Sequence, residues 1–398
     1  MPRKNPIFFG WYIVAIMIIS MMFIYGTRNA FSSFFPHVLD TFHWDRGVTA
    51  IMLSLNLLVY GLSAPVAGML VDRWKPRAVA IIGVFIIGFA TAACFFADRL
   101  WHYYILYGVF VPVGTAFSGS PVFNVALINW FQKRRGLAMG LGQIGGGLGM
   151  VYIIFIDWVY NLFDKWQYVF FVMGGLIIVV GLPLYLIFYY SRPEDKKRHA
   201  YGAELAQTTG PQIEKIAGPD WTLKSAFKTY QLWLLVFADF CFWGLGNYLI
   251  IAHQIKYAED AGFQSAEAAA IFALFGFTSI IGQISAFISD IIGREKAIII
   301  AVILSLIGLW CLISVNDTSD RWMLYVFAIL SGYAVGLFSP SIIVATADLF
   351  HGKNVGAISA MILTGIGLGG AIGPWLGGFI FDVNGSYRLA FIISMAAI

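Results

Sequence analysis

The sequence predicts an all-α integral membrane protein with twelve transmembrane helices in two six-helix pseudo-repeats, the last helix truncated. Three observations carry this. Hydrophobic residues make up 60% of the 398-residue chain against 12% charged, at a mean hydropathy of +0.79, which leaves too little polar surface to cover a soluble globule of that length. The apolar residues fall into twelve runs, most close to the ~20 residues a bilayer helix needs. The two sides of a polar central stretch repeat each other at an offset of about 219 residues, a parallel repeat of the kind from which transporters are built around a midplane site.

Taken in order, the runs cover roughly 7–36, 48–70, 78–97, 102–130, 136–157, 167–190, 231–255, 266–289, 296–315, 322–347, 355–381 and 387 onward. The first follows Met1-Pro2-Arg3-Lys4, is long and lacks a small-residue cleavage site, so it reads as a helix that stays and not as a removable signal peptide. The last, Tyr387 to Ile398, reaches about 18 Å at 1.5 Å per residue, short of a hydrocarbon core of about 30 Å. The chain is therefore expected to stop inside helix twelve.

Charge sets the expected orientation. With the N-terminus in the cytoplasm, the inner segments hold 18 Lys and Arg residues and the outer loops six, Arg46, Arg99, Lys165, Lys256, Arg321 and Arg388. That bias places the N-terminus inside a plasma membrane, here expected to be a bacterial inner membrane. Between residues 191 and 229 the composition turns to Pro, Glu, Asp, Lys, Gln and Thr, too polar to form a core. It reads as a cytoplasmic linker between bundles 1–190 and 230–398, ending in an apolar-periodic stretch, Trp221 to Phe227, suited to the membrane interface.

The repeat itself is visible in two places. Gly68 to Arg73, with Arg77, returns as Ser289 to Arg294; Trp130-Phe131-Gln132-Lys133-Arg134 returns as Leu349-Phe350-His351-Gly352-Lys353. The three cysteines, Cys94, Cys241 and Cys311, fall within apolar runs and offer neither a disulfide framework nor metal-ligand spacing. The formal net charge of +4 is accounted for by topology, so no nucleic-acid partner is expected. Nor is a cofactor or a metal.

The Gly-x-x-x-Asp-Arg-x-x-x-Arg run at 68–77, echoed at Asp290 and Arg294, resembles the signature of the major facilitator superfamily. Further runs resemble its monocarboxylate and oxalate/formate porter branch. They are Gly10-Trp11, Trp130 to Gly140, His253 with Tyr257 to Phe263, and Gly373-Pro374 with Gly378 to Asp382. The resemblance covers the chain from Phe8 to Phe391, apart from the linker. It implies transport of a small carboxylate by rocker-switch alternating access, coupled to a proton or a counter-anion, by a monomer. Lactate carriers of the branch place a basic residue late in helix one, close to where Arg28 falls. Their relatives also carry basic residues in helices eight and eleven, whereas this chain has Gly282-Gln283 in helix eight and no Lys or Arg from Val355 to Phe381. That pattern implies a monoanion such as lactate, pyruvate or formate, held by one cation and neutral donors. Another organic anion is the alternative, and a sensor that binds an anion without moving it a weaker one.

Arg28 is the one basic residue inside an apolar run. A cation in hydrocarbon costs several kcal/mol unless it faces water or a partner, so an arginine there marks a functional site by default. Its planar fork matches two carboxylate oxygens. The competing reading is an arginine that snorkels to the interface or holds a structural carboxylate. Asp239, the sole carboxylate well inside a run, could carry a proton or pair with Arg28 when no substrate is bound. His253, read as ending helix seven, is either an interfacial residue or a second proton-coupling group. Tyr107, Asn124, Gln143, Asn247 and Gln283 are polar residues within runs. Some should line the cavity and others only join helices, with Tyr107 and Asn124 the preferred substrate donors. Gly68, Asp72, Arg73 and Arg77, with Asp290 and Arg294, read as a cytoplasmic latch favouring the outward-open state. The glycine runs at 136–149 and 365–378 are packing surfaces. No strand precedes Gly145-Gly146-Gly147 and no lysine follows it, which excludes a phosphate loop. No nucleophile triad or metal-spaced set is visible, so the chain does not read as an enzyme.

Overall fold

The computed structural model describes residues 8–74, 76–131, 135–163, 165–201, 221–350 and 355–398. Among them there is no sheet, and eleven helices are long and apolar enough to cross a membrane. We number these spans α1 (Gly10–Phe42), α2 (Arg46–Val71), α3 (Pro76–Phe96), α4 (Leu100–Phe123), α5 (Leu137–Phe163), α6 (Gln167–Phe188), α7 (Tyr230–Asp260), α8 (Ser265–Ile292), α9 (Arg294–Ile313), α10 (Thr318–Thr346) and α11 (Ile358–Asn384), followed by a shorter apolar helix, α12 (Arg388–Ala397). Twelve helices were expected, and this set agrees with them in order and position. Helices suffice because a backbone in hydrocarbon must satisfy its own N–H and C=O groups.

Several helices run past the limits that hydropathy suggested. Helix α1 continues beyond Pro36 to Phe42 and α7 beyond Ile255 to Asp260. The last turn of α7 is polar, but Lys256 lies 3.8 Å from Glu259 and 3.4 Å from Asp260, pairs that one helical turn brings together. His253 consequently lies about 10 Å inside the end of its helix at 1.5 Å per residue, not at the end as the sequence suggested. Of the polar central stretch, 202–220 lies outside the described residues. Its end forms a four-residue helical turn, Leu223–Ala226, closed by a reciprocal Thr222–Ser225 capping pair. Ala226 packs with Leu232, Val236, Phe350 and Ile358.

Helices α1 to α6 pack mainly among themselves, α1 on α5, α3 on α4 and α6, and α2 on α4; α7 to α11 do likewise, α8 and α9 on α10 and α7 on α11. Three seams join the groups, α2 with α11, α5 with α8 and α1 with α7. The first two each have a point where backbones touch. A Cβ on Gly61 would sit 2.8 Å from the Gly367 Cα, and one on Gly276 would sit 2.9 Å from the Gly147 carbonyl oxygen, so only glycine fits. Further along, the seams part. A Cβ on Gly68 or Gly140 would meet no described atom within 4 Å. The groups are thus closed together from the Arg46 end of α2 as far as Gly61 and separated at the Gly68 end.

Gly61→Leu should therefore cost about 1–3 kcal/mol by overpacking, whereas Gly68→Leu should stay within about 0.5 kcal/mol of the parent. Thermal unfolding of the purified protein in detergent measures both; equal losses would refute the one-ended closure.

Candidate functional site

Arg28 ends the regular part of the first helix, Gly10–Asn29, and is 2% exposed. Its Nε donates to Asn56 Oδ1 at 3.2 Å. The guanidinium carbon lies 4.2 Å from the centre of the Tyr60 ring and 5.6 Å from that of Tyr25, placing the cation against electron-rich faces. Tyr248, from α7, also lies beside it. Among the described residues Arg28 has no carboxylate partner, and its Nη2 is buried without a hydrogen bond. In α2, Asn56 stands ten residues from Arg46 and twelve from Gly68, about 15 and 18 Å along a helix. Arg28 is therefore level with the middle of the bundle.

Tyr107 is fully buried, and its hydroxyl donates to the Arg28 carbonyl at 2.7 Å and more weakly to the Thr27 carbonyl at 3.2 Å. It steadies the backbone that carries Arg28. The helix here widens into a π turn, Leu106–Phe110, in which the Val111 N–H reaches back to the Leu106 carbonyl. The next donor in that series would be residue 112, which is a proline and has no N–H. The Tyr107 carbonyl is so left without a helical partner, and Asn56 Nδ2 donates to it at 2.7 Å. Asn56 was not singled out from the sequence.

The remaining sequence candidates are dispersed. Asn247 closes a second π segment, Phe240–Asn247, and commits its amide nitrogen to the Phe242 carbonyl at 2.7 Å. Asp239, just before that segment, is 3% exposed with Oδ1 lacking a hydrogen-bond partner among the described residues, and it forms no ion pair there with Arg28. Gln143 is half-buried; Gln283 is too, with its Oε1 unpaired. Since α5 and α8 run antiparallel through the Gly147–Gly276 contact, both glutamines lie on its separated side. The side chain of Asn124 lies outside the described residues, as do those of Asp72 and Arg73. Arg77 donates to the Leu186 carbonyl and stands over the Tyr190 ring. Arg294 pairs with Asp290 on the preceding helix and, at 3.2 Å, with Asp348. These latch residues bond within their own helix groups.

A polar cluster that the sequence did not announce bridges the groups at the closed end. Arg46 makes a two-pronged pair with Asp260, at 2.5 and 3.2 Å, donates to the Tyr387 hydroxyl at 3.0 Å and lies 3.6 Å over the Phe381 ring. Tyr387 in turn meets His253 Nδ1 at 3.2 Å, and His253 Nε2 lies 2.7 Å from the Pro374 carbonyl. Because a carbonyl only accepts, Nε2 carries the proton and Nδ1 accepts from Tyr387. Both carboxylate oxygens of Asp382 accept from the backbone N–H groups of Arg46 and Gly47, at 3.0 and 2.6 Å, capping the α2 N-terminus from the opposite group. A cleft of about 600 Å³ lined by Thr41, Phe42, Phe95 and Trp166 has no part in either cluster.

The sequence model of the Major Facilitator Superfamily matches residues 17–318 and 256–398. The chain belongs to that superfamily. Over 97% of its length it is 23% identical to rat monocarboxylate transporter 13, spanning 86% of that protein. It is 22% identical to human monocarboxylate transporter 2, over 98% of this chain and 85% of the relative. An uncharacterised superfamily transporter of Bacillus subtilis strain 168, YcxA, is 22% identical over 95% of this chain and 90% of its own. Two solved structures share the fold. A bacterial homologue of the human lysosomal transporter Spinster, inward-facing and unoccupied, superposes with a TM-score of 0.68 at 17% identity, over 99% of this chain and 93% of that one. The nucleoside transporter NupG does so with a TM-score of 0.68 at 13% identity, over 97% and 96%. Among these relatives are monocarboxylate transporters, of the branch that the sequence motifs resemble.

The Arg46–Asp260 pair is partly buried, its side chains 15% and 30% exposed. A double-mutant cycle with Arg46→Gln and Asp260→Asn should return a coupling energy of about 1 kcal/mol, within the 0.5–3 kcal/mol typical of contacting pairs. Thermal unfolding measures it, and additive losses would show that the two groups do not hold the ends together.

Proposed function

We propose that this transporter carries small monocarboxylates of the lactate, pyruvate and formate type by alternating access, coupled to a proton. The observation that carries the reading is the buried Arg28, with Nη2 unbonded and no carboxylate beside it among the described residues. A charge kept in the middle of the bundle by neutral acceptors and aromatic faces keeps its attraction for an anion, because no resident charge cancels it. Names of relatives along almost the whole chain, monocarboxylate transporters 13 and 2, support the same substrate class. With one cation and no basic residue in α11, a monoanion is favoured over a dianion.

Asp239 is the proposed proton carrier, since a buried carboxyl without an ion-pair partner binds a proton more readily than an exposed one. The two helix groups are the proposed moving bodies, 1–190 and 230–398, joined by the linker at 191–229. By the positive-inside bias the Gly68 end faces the cytoplasm. The conformation described is then inward-facing, and the Arg46, Asp260 and Asp382 contacts form its outer closure. Asp72, Arg73 and Arg77, with Asp290 and Arg294, are proposed to close the opposite end when the cycle turns over. A static receptor would need no closure at one end matched by charged groups at the other, and this favours transport over sensing or catalysis.

Uptake of labelled L-lactate into proteoliposomes tests the reading. Saturable uptake that speeds up when the outside is made more acidic, and falls at least about tenfold in Arg28→Ala, is the expected result. Uptake indifferent to Arg28 would overturn it. Asp239→Asn should keep exchange of lactate for lactate yet lose the acceleration by the pH gradient, while an undiminished response would remove Asp239 from the proton path. Asp72→Asn should slow uptake with substrate affinity changed by no more than a few-fold, because it lies far from the midplane; an unchanged rate would dismiss the latch.

A further inference from the structure

The amide of Asn56 is held at one end by the carbonyl that Pro112 leaves unpaired and accepts the Arg28 Nε at the other. From this juxtaposition we infer that Asn56 is a positioning residue for substrate selection, aiming the guanidinium so that Nη2 meets one oxygen of a single carboxylate. The inference rests on the reading of Arg28 as the anion-binding group and adds what fixes its direction.

Four contacts close the arrangement. Asn56 is wholly buried, so its amide has no water to turn towards and must satisfy both ends within the protein. Its Nδ2 donates to the Tyr107 carbonyl at 2.7 Å, which forces Oδ1 to be the atom that faces Arg28 Nε at 3.2 Å. The Tyr107 hydroxyl returns to the Arg28 carbonyl at 2.7 Å, tying the backbone of α1 to the same π turn. The Tyr60 ring, 4.2 Å from the guanidinium carbon, fixes the plane of the fork. A planar group held at Nε and on its face has little freedom left, and its Nη2 is buried without a hydrogen bond. The acceptor's neutrality matters as much as its place. An aspartate at position 56 would accept from Nε equally well, but it would neutralise the cation and lose the donor that the Tyr107 carbonyl requires.

The test uses full-length protein in proteoliposomes with labelled L-lactate as the probe and acetate, pyruvate and oxalate as competitors. Asn56→Leu should raise the KM for lactate about tenfold or more while the saturating rate falls less than about threefold. Should that variant fail to fold, Asn56→Asp decides. It matches asparagine in size and still accepts from Nε, so a packing role predicts an unchanged KM, whereas positioning predicts a rise of about tenfold or more. Pro112→Ala, which gives the Tyr107 carbonyl a helical donor and frees Asn56 to turn, should raise KM less than either. A folded Asn56→Asp protein with the parental KM overturns the inference. If Arg28→Lys raises KM in the same assay, only the positioning role falls. If Arg28→Lys also has no effect, or the parent takes up none of the four carboxylates, the substrate reading falls and the inference with it.

Discussion

The structure turns on the cost of keeping one guanidinium in the middle of a membrane bundle. A carboxylate would lower that cost most, and the described residues supply none to Arg28. Instead the cation has an amide oxygen at Nε and phenol rings around it, contributed by α1, α2 and α7. Such partners are weaker than a full charge, so under the proposed function a substrate carboxylate could pair with Arg28 and leave again within one cycle. A resident ion pair would have to be broken first, and breaking a buried pair is expensive.

The same economy appears in the backbone. Two π segments interrupt the helices that face the site, at Leu106–Phe110 and Phe240–Asn247, and in each a buried asparagine amide donates to a carbonyl of the widened turn. In hydrocarbon an unpaired carbonyl is costly, and in these two turns a side chain answers it. Those amides are then polar groups already paid for by the backbone, and Asn56 spends its second end on Arg28.

Much of the fold was legible because hydropathy reports it directly: a run of apolar residues near 20 long has few alternatives to a spanning helix. Arg28 stood out for the same reason, being the one cation such a run could not explain. Asn56 did not, since one polar residue among Leu53-Ser54-Leu55-Asn56-Leu57 reads no differently from Asn124 or Gln143. Its meaning depends on Pro112, in another helix. Tyr107 was singled out as a substrate donor, and its hydroxyl is bonded to the backbone of α1 instead. His253 was placed at a helix end because Lys256, Glu259 and Asp260 look like a loop, though their pairing extends the helix. Arg46 entered only as one outer charge among six. No spacing rule connects it with Asp260 and Asp382, which lie more than 200 residues away in sequence and meet it only in the folded bundle, from α7 and α11.

The capping of α2 by Asp382 has a consequence for how the closed end can part. The carboxylate and the two N–H groups it accepts from belong to helices on opposite sides of the seam, so separation strips both at once. Water must then enter to solvate a bare helix terminus and a bare anion, and the Arg46–Asp260 pair beside them adds to the demand. Parting this end is thus a wetting event as much as a hinge motion. Solutes excluded from protein surfaces, which penalise newly hydrated area, would hold the transporter in the conformation described here without touching its substrate site.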